Sequence, residues 1–119
     1  MNSFKQRYTY EKRVEEFNRI KIKYPDRFPV IAEKFSGDRT LPSFSKIKYL
    51  LPGNTTVGQI LYTIRCALGL HLKPSTALFL FINNTLPPSN MKLKELYSLY
   101  SDQDGFLYVI ISSENTFGQ

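Results

Sequence analysis

Apolar residues recur along this chain with two periods, and the switches between them outline its elements. From Thr9 to Lys23, Val14, Phe17 and Ile20 return every three residues with charge between them, which predicts a helix with one apolar stripe. Thr9 is a natural N-cap, Glu11, Glu15 and Glu16 suit the positive end of the helix dipole, and Tyr24-Pro25-Asp26 stops the helix. A fainter signal for a short helix lies around Ser3 to Tyr8. Phe28 to Lys34 reads as a strand whose early proline, Pro29, suits the start or an edge of a sheet. Phe35 to Phe44 holds Gly, Asp, Pro and Ser and reads as a loop. Lys46 to Leu51 is a second strand, with lysines on its leading half as in a protected edge, closed by Pro52-Gly53-Asn54.

The next helix is the clearest. Thr56 and Gln59 form a capping box, because hydroxyl and amide can each satisfy the other's free backbone N–H. Val57, Ile60, Leu61, Ile64 and Leu68 make one face, and Gly69 is a natural residue to end on. Ala77 to Ile82 is apolar throughout and reads as a buried or central strand. Asn83-Asn84 is a turn, Leu93, Leu96, Tyr97 and Tyr100 mark a short helix, and Phe106 to Ser112 is the final strand. The order predicts an α+β fold: a four-stranded mixed sheet with one helix packed across it. The first two strands form a hairpin with a long loop, and the N-terminal helix must dock elsewhere on the sheet or helix.

At 119 residues the chain is expected to be one domain, able to bury a core without disulfides or metal. Its longest apolar runs, ALFLFI and FLYVII, have six residues each, far short of a membrane span. MNSFKQRYTYEKR has no apolar segment of the secretory kind, and the single cysteine, Cys66, excludes an internal disulfide. A cytoplasmic or nuclear protein is expected. The net charge of +6 is uneven: +4 over residues 1–35, +4 over 36–73 and −2 over 74–119. The basic half suits acidic peptides, anionic lipid heads or nucleic acid, though moderately basic domains also need no acidic partner.

Catalytic patterns are not found. There is no Cys/His metal cluster, no glycine-rich phosphate loop and no Gly-x-Ser-x-Gly elbow. Cys66 and His71 lie five residues apart, which does not put them on one helical face, and Glu15 and Glu16 are neighbours on a solvated helix. Lysines and aromatics interleave in KIKYPDRF and KIKYL, yet no helix-turn-helix, RRM or KH signature accompanies them. KIKYLLP reads in two ways. It is either a plain edge strand with gatekeeper lysines, or an edge that accepts an added strand from an acidic partner peptide.

YEKRVEEFNRIKIKYPDRFPVIAEK, KIKYLLP, TTVGQILYTIR, ALFLFINNTLPP and FLYVIISSENTFG occur in an order and spacing that resemble the autophagy ubiquitin-like modifiers. These are the relatives of GABA-receptor-associated protein and of microtubule-associated protein light chain 3. The resemblance runs from about Tyr10 to Gly118. It implies a ubiquitin-like β-grasp core over residues 27–112, preceded by N-terminal helices within 1–24 and followed by a flexible tail, 113–119. It implies no catalysis and no cofactor. A dedicated cysteine protease would cut Gly118–Gln119, with Phe117 as the aromatic before the cut. An activating and a conjugating enzyme would then pass Gly118 to the amine of phosphatidylethanolamine. Glycine suits that place because, lacking Cβ, it threads a narrow groove and presents an unhindered carbonyl. Phe79 and Phe81 match positions that engage the processing machinery. The product would tag autophagosomal and cytoplasmic vesicle membranes and recruit cargo receptors and adaptors. The alternative is a peptide-binding or vesicle and cytoskeleton adaptor that is never conjugated.

The resemblance also maps a docking surface for short acidic-aromatic-x-x-aliphatic peptides. Its first pocket, for the aromatic, would use Glu16, Ile20, Pro29, Ile31, Lys48, Leu50 and Phe106. Its second, for the aliphatic residue, would use Tyr49, Leu51, Pro52 and Ile60. Arg27, Lys46, Lys48 and Arg65 would meet the acidic flank. Thr55 and Thr63 stand where relatives often carry larger apolar residues, which implies a shallower or more polar second pocket. Cys66 and Ala67 stand where many carry basic ones, which thins the positive rim beyond Arg65.

Overall fold

A computed structural model describes residues 3–115; Phe117, Gly118 and Gln119 lie outside them. In chain order the elements are α1 (Phe4–Arg7), α2 (Tyr10–Lys23), β1 (Arg27–Lys34), β2 (Lys48–Pro52), α3 (Val57–Leu68), a 3-10 turn (Gly69–His71), β3 (Phe79–Phe81), α4 (Leu93–Tyr100) and β4 (Leu107–Ser112). The caps explain the helix starts. Ser3 and Gln6 close a capping box on α1, the Thr9 hydroxyl accepts from Lys12 N–H on α2, and Thr56 and Gln59 close a second box on α3. Lys92 offers α4 no side-chain cap. Carbonyls of the turn between β2 and α3 serve instead: Leu93 N–H donates to Thr55 O at 2.7 Å and Lys94 N–H to Gly53 O at 3.0 Å.

The four strands lie in the order β2-β1-β4-β3. β1 pairs antiparallel with β2 (Pro29 opposite Leu50, Val30 opposite Tyr49) and parallel with β4 (Val30 opposite Leu107, Ala32 opposite Val109). β3 pairs antiparallel with β4, Leu80 facing Ile111. The sheet is therefore mixed, with α3 packed on one face, in the ubiquitin-like arrangement preceded by two N-terminal helices.

Two sequence expectations change. Pro29 was expected to mark a sheet start or edge, and it marks only a start: β1 lies inside the sheet. Parallel pairing with β4 begins one residue later, at Val30, so the proline's missing N–H interrupts no pair there. Ala77 to Ile82 was read as buried or central, but only Phe79–Phe81 forms strand, and it is the far edge. The segment is nonetheless buried from Leu80 to Ile82. After it, Asn83 and Asn84 both take positive φ (50° and 62°), and Ile82 and Thr85 exchange backbone bonds across this tight turn.

The sheet is covered on both faces. Val30, Ala32, Tyr49, Leu107, Val109 and Ile111 pack with Val57, Ile60 and Ile64 of α3 and with Leu93 and Leu96 of α4. The alternate positions, Ile31 and Phe106, pack with Ile20 of α2 and Phe4 of α1, joined by Phe17, Leu50 and Tyr108. The N-terminal helices thus occupy the face opposite α3. Asp104 ties them down. This carboxylate, 1% exposed, accepts from Arg13 Nε at 2.7 Å, from Phe106 N–H at 2.9 Å and from the Tyr108 hydroxyl. Its hydrogen bond raises the Arg13 pKa against the opposing effect of burial.

Candidate peptide-docking groove

β2 is an edge strand, bonded to β1 on one side only, so its other side leaves backbone groups free to pair. Side chains alternate along it. Lys48 and Leu50 turn to the α2 face, where Leu50 packs against Phe4, Ile20, Ile31 and Phe106. Tyr49 and Leu51 turn to the α3 face and pack with Ile60. The two expected pockets therefore sit on opposite faces of the sheet, divided by one strand.

On the α2 side the structure clusters Ile20, Ile31, Leu50 and Phe106 and joins Glu16 to Lys48, but the apolar residues are largely closed off. Ile20, Ile31 and Phe106 are 2%, 0% and 0% exposed, and Pro29 is buried. Phe4, itself 4% exposed, packs against the other three. Its ring meets Phe106 edge-on, with centroids 5.4 Å apart. What remains open is a cavity of about 560 Å³ between α1 and α2, lined by Phe4, Tyr8, Arg13, Glu16 and Lys48 among others. Its apolar wall is Phe4 and Tyr8 rather than the isoleucines. Sequence reasoning missed Phe4. The capping box around Ser3 and Gln6 was the available signal, since it sets an aromatic at the first position of a helix.

Glu16 bridges the mouth. It takes two bonds from Arg19, each 2.9 Å, and one from Lys48 Nζ at 2.5 Å. The Arg19 bonds hold its carboxyl down at about 2, with Lys48 adding to the effect and partial burial opposing it. Lys48 Nζ also stands 5.7 Å from the centre of the Phe4 ring.

On the α3 side Tyr49 and Ile60, expected of the second pocket, are 4% and 1% exposed and belong to the core. Leu51 is half-buried and Pro52 exposed, and these offer the accessible apolar surface. Burial raises the pKa of the Tyr49 hydroxyl. Thr63 donates its hydroxyl back to Gln59 O at 2.9 Å, a turn below on its own helix.

Of the basic residues expected beside the groove, Arg27 and Lys46 are exposed and Lys48 is half-buried. Lys46 Nζ stands 4.8 Å from the Tyr49 ring centre. Arg65 stands apart: its guanidinium donates to Thr76 O at 2.5 Å, in the segment leading to β3 at the other edge. Phe79 is half-buried and Phe81 is 4% exposed, so Phe79 is the more accessible of that pair. Cys66 and His71 are both exposed, and no three His, Cys, Asp or Glu among the described residues converge on a metal-sized site. The expected cleavage and conjugation residues, Phe117 and Gly118, lie outside the described residues.

Comparison with known proteins matches residues 12–118 to the family described as autophagy protein Atg8, ubiquitin like. Autophagy-related protein 8i of Arabidopsis thaliana is 47% identical over 118 residues, covering 99% of this chain and 100% of that one. Autophagy-related protein 8D of Oryza sativa subsp. japonica is 49% identical over 116 residues, covering 97% and 96%. Among solved structures, the crystal structure of Trypanosoma brucei ATG8 superposes with a TM-score of 0.87 at 35% identity, covering 99% of both chains. Plasmodium falciparum Atg8, solved in complex with a Plasmodium falciparum Atg3 peptide, gives 0.83 at 34% identity, covering 96% and 98%.

Proposed function

Because the chain belongs to the Atg8 family of autophagy ubiquitin-like modifiers, we propose that it is cut after Gly118 and joined through that glycine to phosphatidylethanolamine. The observation that carries this reading is the family match across residues 12–118, which takes in Phe117 and Gly118. A processing cysteine protease would release the glycine carboxyl. An activating and a conjugating enzyme would carry it as a thioester to the lipid amine. The relative solved with an Atg3 peptide supports a conjugating partner for this chain too. The protein would move from cytoplasm to autophagosomal and vesicle membranes. There the β2 edge would take an acidic-aromatic-x-x-aliphatic segment of a cargo receptor or adaptor as an added strand, its aromatic entering beside Leu50 and Lys48 and its aliphatic residue beside Leu51 and Pro52. Exposed Arg27 and Lys46 would meet its acidic flank.

Intact-mass analysis after expression in its own cells tests the covalent step. Loss of Gln119 and addition of the lipid are expected, both abolished by Gly118→Ala. Retention of Gln119, with membrane association unaltered in Gly118→Ala, would leave a peptide-binding adaptor that is never conjugated.

A further inference from the structure

Asp38 lies on the turn that follows β1. The chain continues one residue past that strand, Phe35 N–H donating to Ile111 O at 2.8 Å, and then folds back as Asp38 N–H donates to Phe35 O at 3.0 Å. This return sets Asp38 beside the end of β4. Its two carboxylate oxygens hold different segments. Oδ1 accepts from Thr40 N–H and Leu41 N–H, both at 2.9 Å, and shapes the loop. Oδ2 accepts from Ser113 N–H at 2.6 Å, from the Ser113 hydroxyl at 2.7 Å and from the Ser112 hydroxyl at 3.3 Å. The Ser112 hydroxyl in turn accepts from Glu114 N–H at 3.1 Å. Burial works to raise the Asp38 carboxyl, yet the bonds from Ser113, Leu41 and Thr40 hold it at about 2, so it is charged throughout the physiological range.

We propose that Asp38 is a positioning residue for the C-terminal segment: it fixes where and in which direction that segment leaves the sheet, and so presents Phe117-Gly118 to the processing protease. The inference rests on the processing reading above. Five residues lead from Ser113 to Gly118, a reach of at most about 18 Å. A fixed departure point and direction at Ser113 would narrow the orientations from which that short reach is searched. Loss of the clamp would let the same short segment leave in many directions, and the protease would have to select the productive one.

Asp38→Asn tests this, because asparagine keeps an oxygen for the Thr40 and Leu41 amides but turns a donor toward Ser113 N–H. In the full chain, amide exchange at Ser113 should rise about tenfold or more, since its acceptor is gone. The kcat/KM for cleavage by a purified Atg8-family processing protease should fall about five- to tenfold, carried by KM, because what is lost is an ordered approach rather than chemistry. Peptide binding at the β2 edge should not change. The Ser112→Ala/Ser113→Ala double variant leaves the loop bonds and the Ser113 N–H in place and should lower kcat/KM about two- to threefold in the same way. It carries the comparison if Asp38→Asn does not fold. Faster exchange with unchanged cleavage would overturn the positioning role and leave the processing reading standing. Unchanged exchange would overturn the clamp itself. A wild-type chain that is not cut after Gly118 would overturn both.

Discussion

The Phe4 ring stands edge-on to Phe106, planes at 72°, and so a residue from the first helical turn of the chain seals the floor expected of the aromatic pocket. A partner aromatic must displace that ring or settle against it. Phe4→Ala should therefore do two things at once. It should lower stability by about 3–4 kcal/mol, through lost burial and the cavity left over Ile20 and Ile31. It should also tighten binding of an aromatic-x-x-aliphatic peptide several-fold, because an apolar cavity of that shape accepts an aromatic ring. Calorimetric titration beside a denaturation curve checks both. Weaker peptide binding would make Phe4 a wall of the pocket rather than its cover.

Asp104 concentrates the attachment of α2 to the sheet. Asp104→Ala would strand Arg13, whose side chain is 11% exposed, together with the Phe106 N–H and the Tyr108 hydroxyl. A loss of about 3–5 kcal/mol is expected in urea unfolding. Pairing it with Arg13→Met should recover part of that, since the uncompensated charge goes too; a strictly additive double variant would show that the pair does not act as a unit.

Gly105 has φ of +99°, and a Cβ built on it would stand 2.4 Å from the Phe17 ring. Its carbonyl accepts the Tyr97 hydroxyl, so α2 and α4 both lean on this one turn. Gly105→Ala combines a backbone conformation that L residues resist with an overlap in a packed region. About 3 kcal/mol of destabilisation is expected, read as a lower thermal midpoint.

Glu16 and Asp38 give the chain an acid-side dependence of known sign. Each carboxyl sits at about 2 when folded, below the usual 4.5 and 3.8. Their stabilisation is complete above those ordinary values, shrinks as pH falls and is gone below about 2. Glu16→Gln should flatten part of the decline in unfolding midpoint over that window, with Asp38 and the likewise lowered carboxyl of Asp102 contributing further parts. The Glu16 contribution should be modest and smaller still in high salt, because Arg19 is 62% exposed. An unaltered pH profile would show that the Arg19 and Lys48 pairs contribute nothing to folding.

The starts of α2 and α3 were legible in the chain because they carry their own local chemistry: Thr9, and Thr56 with Gln59, act within one turn of themselves. The edge position of β2 was legible in the lysines of KIKYLLP. The second core was not, because it is assembled from Phe4, Ile20, Ile31 and Phe106, four residues far apart in sequence. A partial signal existed in Val30-Ile31-Ala32, where both parities of the strand are apolar, as a sheet covered on two faces requires. Asp104 gave none: in sequence it is one more polar residue in the turn SDQDG, and only the fold brings Arg13 to it. Arg65 was placed in the basic rim by the resemblance alone, and nothing local revealed its bond to Thr76.

The alternation along β2 has a consequence for any peptide laid beside it. In an extended chain, residues an odd number of positions apart point to opposite sides, and those an even number apart point to the same side. Leu50 and Leu51 pack on opposite sides of the sheet, where the two proposed pockets lie. An aromatic and an aliphatic residue three apart satisfy both, whereas two or four apart must forfeit one or bulge. On the proposed docking mode, the edge of this sheet would act as a parity filter, rejecting by spacing alone sequences whose composition would otherwise suit it.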